Sequence, residues 1–244
     1  RAAAGKLENA VYVIYVSPLR SLSRDIERNL AGPLAALNRS LPAAHQLRMD
    51  VRSGDTSESE RARMSKAKPH LLLTTPESLT SLVSQVQWRE AFRAGVVIVD
   101  EIHSFCESKR GSLLALTLER LEARGKWQRI GLSATAAPIE EVQHLLVGRR
   151  ECAVAATRAE KVHRLEIAPV PFDTYLPAAG FNPYRVAHVT AALVERAECS
   201  LVFTQTRSAT ERMALALKVL LPEMDDQIET HHASLDRDKR LWVE

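Results

Sequence analysis

Residues 96–101 read VVIVDE. Four consecutive β-branched residues run straight into two carboxylates, with none of the polar alternation of a half-exposed strand. A run of this kind needs apolar cover on both faces, as in a parallel sheet wrapped by helices. In open sheets of that type, ligands bind beyond the carboxyl ends of the strands. The segment therefore holds the chain to a layered α/β architecture and puts Asp100 and Glu101 at its functional edge.

The same alternation runs through most of the chain. Strands are predicted over residues 10–16, 46–52, 70–76, 96–101 and 127–135. Helical spacing covers residues 21–37, 57–65, a stretch from Pro76, 109–124 and 138–147. Ser21 or Ser23 is expected to cap the first helix, and Pro76 and Pro138 to open theirs. Strands alternating with helices imply right-handed crossovers and a mostly parallel sheet. Beyond residue 150 the pattern changes to a proline-rich stretch, 163–184, with no long periodic segment. A helix (184–197), a strand (200–206) and a helix (208–222) then begin a second α/β unit. The expected organisation is one domain over 1–150, a linker or crossing strand over 151–183, and the start of a second domain over 184–244.

Bulk properties narrow the function classes. The 244 residues are 45% hydrophobic and 26% charged, as expected of a soluble globular chain. No apolar run reaches membrane-spanning length. Cys106, Cys152 and Cys199 lie too far apart for a metal cluster and are too few for a disulfide framework. Reduced cysteines and a cytoplasmic location are expected. Residues 1–150 carry 22 Lys+Arg against 16 Asp+Glu, and residues 151–244 carry 11 against 14. A basic N-terminal part suits a polyanionic partner. The opening RAAAGKLENA has no signal-peptide core and no initiating Met, so the chain reads as an internal piece of something longer.

Two adjacent carboxylates repel each other, and burial raises their pKa. A divalent cation removes the conflict, since it is the largest local charge. Asp100 could then hold hydrated Mg²⁺ while Glu101 orients and deprotonates a water, an arrangement suited to nucleotide hydrolysis. Polar clusters stand at other strand ends too: Ser17-Pro18-Leu19-Arg20, Thr74-Thr75-Pro76-Glu77 and Ser133-Ala134-Thr135. Together they could line one crevice.

DEIH after an apolar strand resembles motif II of superfamily 2 helicases. VSPLRSLSRD (16–25) resembles motif Ia, LLTTPESL (72–79) motif Ib, and IGLSATAAP (130–138) motif III. LVFTQTRSATERM (201–213) resembles motif IV, and HHASLDRDKR (231–240) the HHGSL segment that follows it. The combination is most similar to the large helicase-related (Lhr) group of ATP-dependent DNA helicases. The resemblance implies a RecA-like parallel sheet with helices on both faces, followed by an incomplete second RecA-like domain. It implies ATP and Mg²⁺ as cofactors and nucleic acid as partner, single-stranded DNA before RNA, in DNA repair. Asp100 would coordinate Mg²⁺ through water and Glu101 would be the general base. His103 would relay the nucleotide state to Ser133 and Thr135, which would couple hydrolysis to movement. Nucleic-acid contacts are expected from Ser17, Pro18, Arg20 and Arg24, from Arg52 and Gly54, and from Thr75, Pro76, Glu77 and Ser78. Thr204, Thr206 and Arg207 would add contacts from the second domain. Pro76 and Glu77 are expected to shape their turn rather than touch phosphate.

The sequence also departs from that family. It contains no GxxxxGK[ST] phosphate loop and ends before motifs V and VI. A triphosphate needs donors of that kind, so the chain alone is expected not to hydrolyse ATP. A binding module without catalysis and an RNA helicase are the competing readings. A serine hydrolase built on Ser133 would need GxSxG, and Thr135 stands where its second glycine belongs. A metalloprotease would need HExxH, which is absent.

Overall fold

The computed structural model describes residues 2–92, 95–134, 138–156, 165–170, 182–232, 234–236, 239 and 242–243, without the side chains of 20–24 and 182. The chain divides into two compact units, Arg1–Ala156 and Thr157–Glu244.

In the first unit β1 (Val13–Val16) leads into α1 (Arg20–Arg39), then β2 (Met49–Arg52) and α2 (Glu58–Lys66). Next come β3 (Leu71–Thr74), α3 (Pro76–Ser84), β4 (Gly95–Val99) and α4 (Lys109–Glu122). The unit closes with β5 (Trp127–Gly131) and α5 (Ile139–Val147). The strands form one sheet in the order β2-β3-β1-β4-β5, every neighbouring pair parallel.

One face of the sheet is apolar throughout its centre. Ile14, Val16, Leu72, Val97 and Val99 are buried and share a core with Leu79 and Leu82 of α3, Leu114 and Leu118 of α4, and Leu146 of α5. At the far end of that core the Trp88 and Phe92 rings stack at 5.8 Å. On the other face α1 lies against β2 and β3, while Val13, Tyr15, Val96 and Ile98 are only half-buried. That difference follows from the two-residue period of a strand, which sends alternate side chains to opposite faces.

The helix starts depend on different chemistry. Ser57 and Glu60 form a reciprocal capping box at the start of α2, a signal already present in the spacing of SESE. Ser108 caps α4 by accepting from Gly111 N at 3.2 Å. The first helix, by contrast, starts at Arg20, so its cap position falls on Leu19, two residues before Ser21 and four before Ser23, and offers no side-chain bond.

The second unit contains α6 (Asn182–Val194) and α7 (Arg207–Leu220), which bury Ala191, Val194, Leu217 and Leu221 against each other. Residues 200–206, expected as a strand, have none of that structure, and Leu201 and Phe203 are exposed. A strand needs a ladder partner, and none is found for this segment among the described residues.

One close approach governs how α4 meets the rest of the first unit. A Cβ added to Gly111 would stand 2.0 Å from the Phe105 carbonyl oxygen, so the helix start can seat there only without a side chain. Gly111→Ala is expected to destabilise the unit by about 1–3 kcal/mol, the cost of overpacking. Gly32→Ala in exposed α1, where a new methyl meets nothing within 4 Å beyond its chain neighbours, should stay within about 0.5 kcal/mol of wild type, because the gain in helix propensity is offset by the clash of a Cβ with the ring of Pro33 that follows. Urea unfolding of the two variants separates the two outcomes.

Candidate functional site

All five strands stop on one row. The register pairs Arg52 with Thr74, Thr74 with Val16, Val16 with Val99, and Val99 with Gly131, each the last residue of its strand. The next residues along that edge are Ser53, Thr75, Ser17, Asp100 and Leu132. The ladder continues one step past each end: Ser17 N donates to Thr74 O at 3.0 Å, Asp100 N to Val16 O at 2.8 Å, and Leu132 N to Val99 O at 2.8 Å. The polar clusters read from the sequence thus share one edge of the sheet.

Asp100 and Glu101 lie at the end of β4, next to the middle strand. Glu101 has φ 46° and ψ 43°, the left-handed region, and no other non-glycine residue among those described has positive φ. Such strain costs about 1–3 kcal/mol and persists only where the surroundings impose it. Here the imposition is visible on both sides. Asp100 Oδ1 accepts from Glu101 N at 3.0 Å. The turn Ile102–Phe105 is held down by buried Ile102 and Phe105 and by a bond from Ile102 N to Leu132 O at 3.0 Å. The reversal leaves the Glu101 side chain 41% exposed beside His103, whose Nδ1 stands 3.3 Å from Glu101 Oε2. The same ring nitrogen lies 2.7 Å from Ser133 Oγ. Glu101, His103 and Ser133 therefore form one short polar chain across the ends of β4 and β5.

Tyr15 adds a contact that the sequence did not reveal. It pairs with Ile98 across the β1–β4 ladder, which puts it on the same face as Asp100, two residues further along β4. Burial first, then a hydrogen bond to Asp100 and the charges of Asp100 and Glu101, push the Tyr15 phenol above its usual range. The phenol stays protonated and serves Asp100 as a donor. Among the described residues no three metal-ligating side chains gather into a cage. Half-buried Asp100 with Glu101 next to it is a donor set that fits a Mg²⁺ keeping most of its waters, and suits poorly an ion needing an all-protein shell.

The neighbouring loops are tightly built. Ser17 is fully buried, and its hydroxyl donates to Leu19 O at 3.0 Å, so it shapes the loop from within. Thr75 is buried, and its hydroxyl meets Ser78 Oγ at 3.3 Å. Pro76 starts α3 from a buried position. Gly54 is exposed, and its carbonyl accepts from Arg61 Nη2 at 3.1 Å. Arg52 is half-buried, and burial, with Arg61 close by, lowers the pKa of its guanidinium. Arg20 and Arg24 belong to α1, but their side chains, like Thr135 as a whole, lie outside the described residues. In the second unit Thr206 caps α7 by accepting from Ala209 N at 3.1 Å, and Thr204 Oγ1 lies 2.7 Å from Thr210 Oγ1. Arg207 donates to Ser234 Oγ.

A further residue absent from the sequence reading binds the loops together. Arg110 Nε donates to Glu77 Oε1 at 2.6 Å, and its Nη2 donates to Glu77 Oε2 at 3.3 Å and to Pro18 O at 3.0 Å. Nothing in the sequence separates this arginine from an ordinary solvated one at a helix start. The hydrogen bonds from Arg110 hold the Glu77 carboxyl below its usual range. A carboxyl depressed on folding contributes stability above its unfolded pKa and loses it as pH falls through the folded value. The small stability gap between wild type and Arg110→Gln should accordingly be full at pH 7 and close as pH drops below about 4. Thermal melts across that range measure it, and a gap independent of pH would contradict the assignment.

Known proteins share both sequence and fold with this chain. The DEAD/DEAH box helicase family matches residues 2–144. The ATP-dependent helicase Lhr-Core of Methanothermobacter thermautotrophicus is 42% identical over 257 residues, covering 98% of this chain and 29% of its own length. The Lhr helicase/probable uracil glycosylase of Mycolicibacterium smegmatis is 38% identical over 219 residues, with 86% of this chain and 14% of its own length covered. A solved structure of Mycobacterium smegmatis helicase Lhr bound to ssDNA and AMP-PNP superposes with a TM-score of 0.79 at 36% identity. That match covers 96% of this chain and 32% of the solved one. The chain thus spans under a third of the length of these relatives.

Proposed function

The chain belongs to the DEAD/DEAH box helicase family, and on that footing we propose that it forms part of an ATP-dependent helicase or translocase acting on single-stranded DNA. The first unit would be the ATP-binding domain and the second the opening of the second helicase domain. The observation that carries the reading is the left-handed turn at Glu101. It sets two carboxylates side by side on the edge where the other loops also end.

Mg²⁺, when bound with ATP, would neutralise charge on the phosphates. Asp100, fixed by the Tyr15 phenol and the Glu101 amide, would hold that ion through water. Glu101 would draw a proton from the attacking water onto its exposed carboxylate, as a general base. His103 would pass the resulting change to Ser133, with which it shares a 2.7 Å contact, and Thr135 would act with Ser133.

A translocase must grip any sequence, so it should hold phosphates and sugars rather than base edges. The loops at 17–20, 52–54 and 75–78 would do this, with Arg20, Arg24, Arg52 and backbone amides as donors. Thr204, Thr206 and Arg207 would extend the grip from the second unit. Glu77, engaged by Arg110, would present little unpaired negative charge to a phosphate. Support for DNA and a nucleotide comes from the Lhr structure with ssDNA and AMP-PNP. Support for a role in DNA repair comes from the relative that joins the helicase to a probable uracil glycosylase. A cytoplasmic setting goes with it; no described helix is long and apolar enough to cross a membrane.

Glu101→Gln in the full-length protein should lower DNA-stimulated ATP turnover by at least about 100-fold while single-strand binding persists. Undiminished turnover would overturn the role of Glu101. The 244-residue chain by itself, which carries no GxxxxGK[ST] segment, should show no ATP turnover above background. Turnover that disappears with Glu101→Gln in the isolated chain would contradict that expectation.

A further inference from the structure

We propose that Arg110 is a positioning residue: one guanidinium locks the 17–20 loop and the start of α3 to the segment that follows Asp100-Glu101. The inference rests on reading those loops as strand contacts.

Three otherwise separate pieces of chain converge on Arg110. Its fork meets both oxygens of Glu77 and, through Nη2, the carbonyl of Pro18. The guanidinium also stands 5.5 Å from the Phe105 ring, and that ring is fully buried at the end of the turn carrying His103. Gly111 lets the backbone beside Arg110 press onto the Phe105 carbonyl, so α4 moves with that turn. The 17–20 loop is thus fastened at Ser17 by the ladder to β3 and at Pro18 by Arg110.

The geometry needs arginine. A planar fork can satisfy a carboxylate with two donors and still reach a carbonyl, whereas a lysine ammonium is a point charge on a flexible stem. It is also more than stability requires. The Arg110 and Glu77 side chains are 41% and 51% exposed, and pairs this open contribute little to folding. What the clamp fixes is the spacing between two loops and the hydrolysis turn, and small misplacements of binding groups are costly.

The test uses the full-length protein and a labelled single-stranded oligonucleotide without nucleotide, read by anisotropy over a salt series, with thermal melts in parallel. Arg110→Gln should bind about tenfold more weakly, within the usual range of coupling between sites, and melt within a few degrees of wild type. Arg110→Lys should not restore full affinity. The double variant Arg110→Gln/Glu77→Gln should bind no more weakly than Arg110→Gln, because the two residues act as one unit. Wild-type affinity in Arg110→Gln, full rescue by lysine, or additive losses in the double variant would each overturn the clamp. A salt slope shallower by about one in Arg110→Gln would make Arg110 a phosphate contact instead, which also overturns it. A wild-type protein that binds no single strand would sink the reading of the loops, and the clamp with it. Binding by wild type with equal binding by Arg110→Gln would sink the clamp alone.

Discussion

Parallel pairing is the constraint on which the rest of the first unit depends. It sends every strand in the same direction, so every carboxyl end lies on one edge. In this sheet the five strands also end on the same row of the register. Residues that follow the strands are separated widely in sequence, from Ser17 to Leu132, yet become neighbours along one line. The apolar face beneath them, packed by α3, α4 and α5, fixes that line rigidly. A one-residue slip in any ladder would turn a buried face outward, so the position of the edge is set by the core.

Carboxylates gathered on one edge repel one another, and Asp100, Glu101 and Glu77 each have a polar neighbour. Asp100 accepts from the Glu101 amide and from Tyr15. Glu101 stands beside His103. Glu77 is engaged by Arg110. The donors come from β1, from the turn after β4 and from α4, so the local charge balance is built by elements that meet only in the folded sheet. Toward solvent stand the side chains of Glu101 and Glu77 and, at the end of β2, the exposed residues Gly54 and Asp55.

Much of this was legible in the sequence because it rested on periodicity. The VVIV run, the other strand segments and the prolines opening α3 and α5 are local signals, and local signals survive folding. The polar groups at the strand ends followed from them. Other features were hidden for physical reasons. Tyr15 acts through cross-strand register, two residues out of phase with Asp100, which no single segment encodes. Arg110 acts across 33 and 92 residues of chain and looks like any surface cation. The start of α1 was missed because no side-chain cap marks it: Leu19, exposed and without a hydroxyl to offer, stands at the cap position. The 200–206 stretch has strand composition but no ladder partner among the described residues, and composition alone cannot supply one.

In the proposed function this single edge of the sheet faces nucleic acid. Photocrosslinking of a thio-thymidine single strand to the full-length protein, with the adducts mapped by mass spectrometry, tests it most directly. Adducts are expected, within the first unit, in peptides covering 17–20, 52–56 and 75–78, at the carboxyl ends of β1, β2 and β3. Adducts in that unit confined to the opposite edge, around His70 and Gly95 at the strand starts, would contradict it.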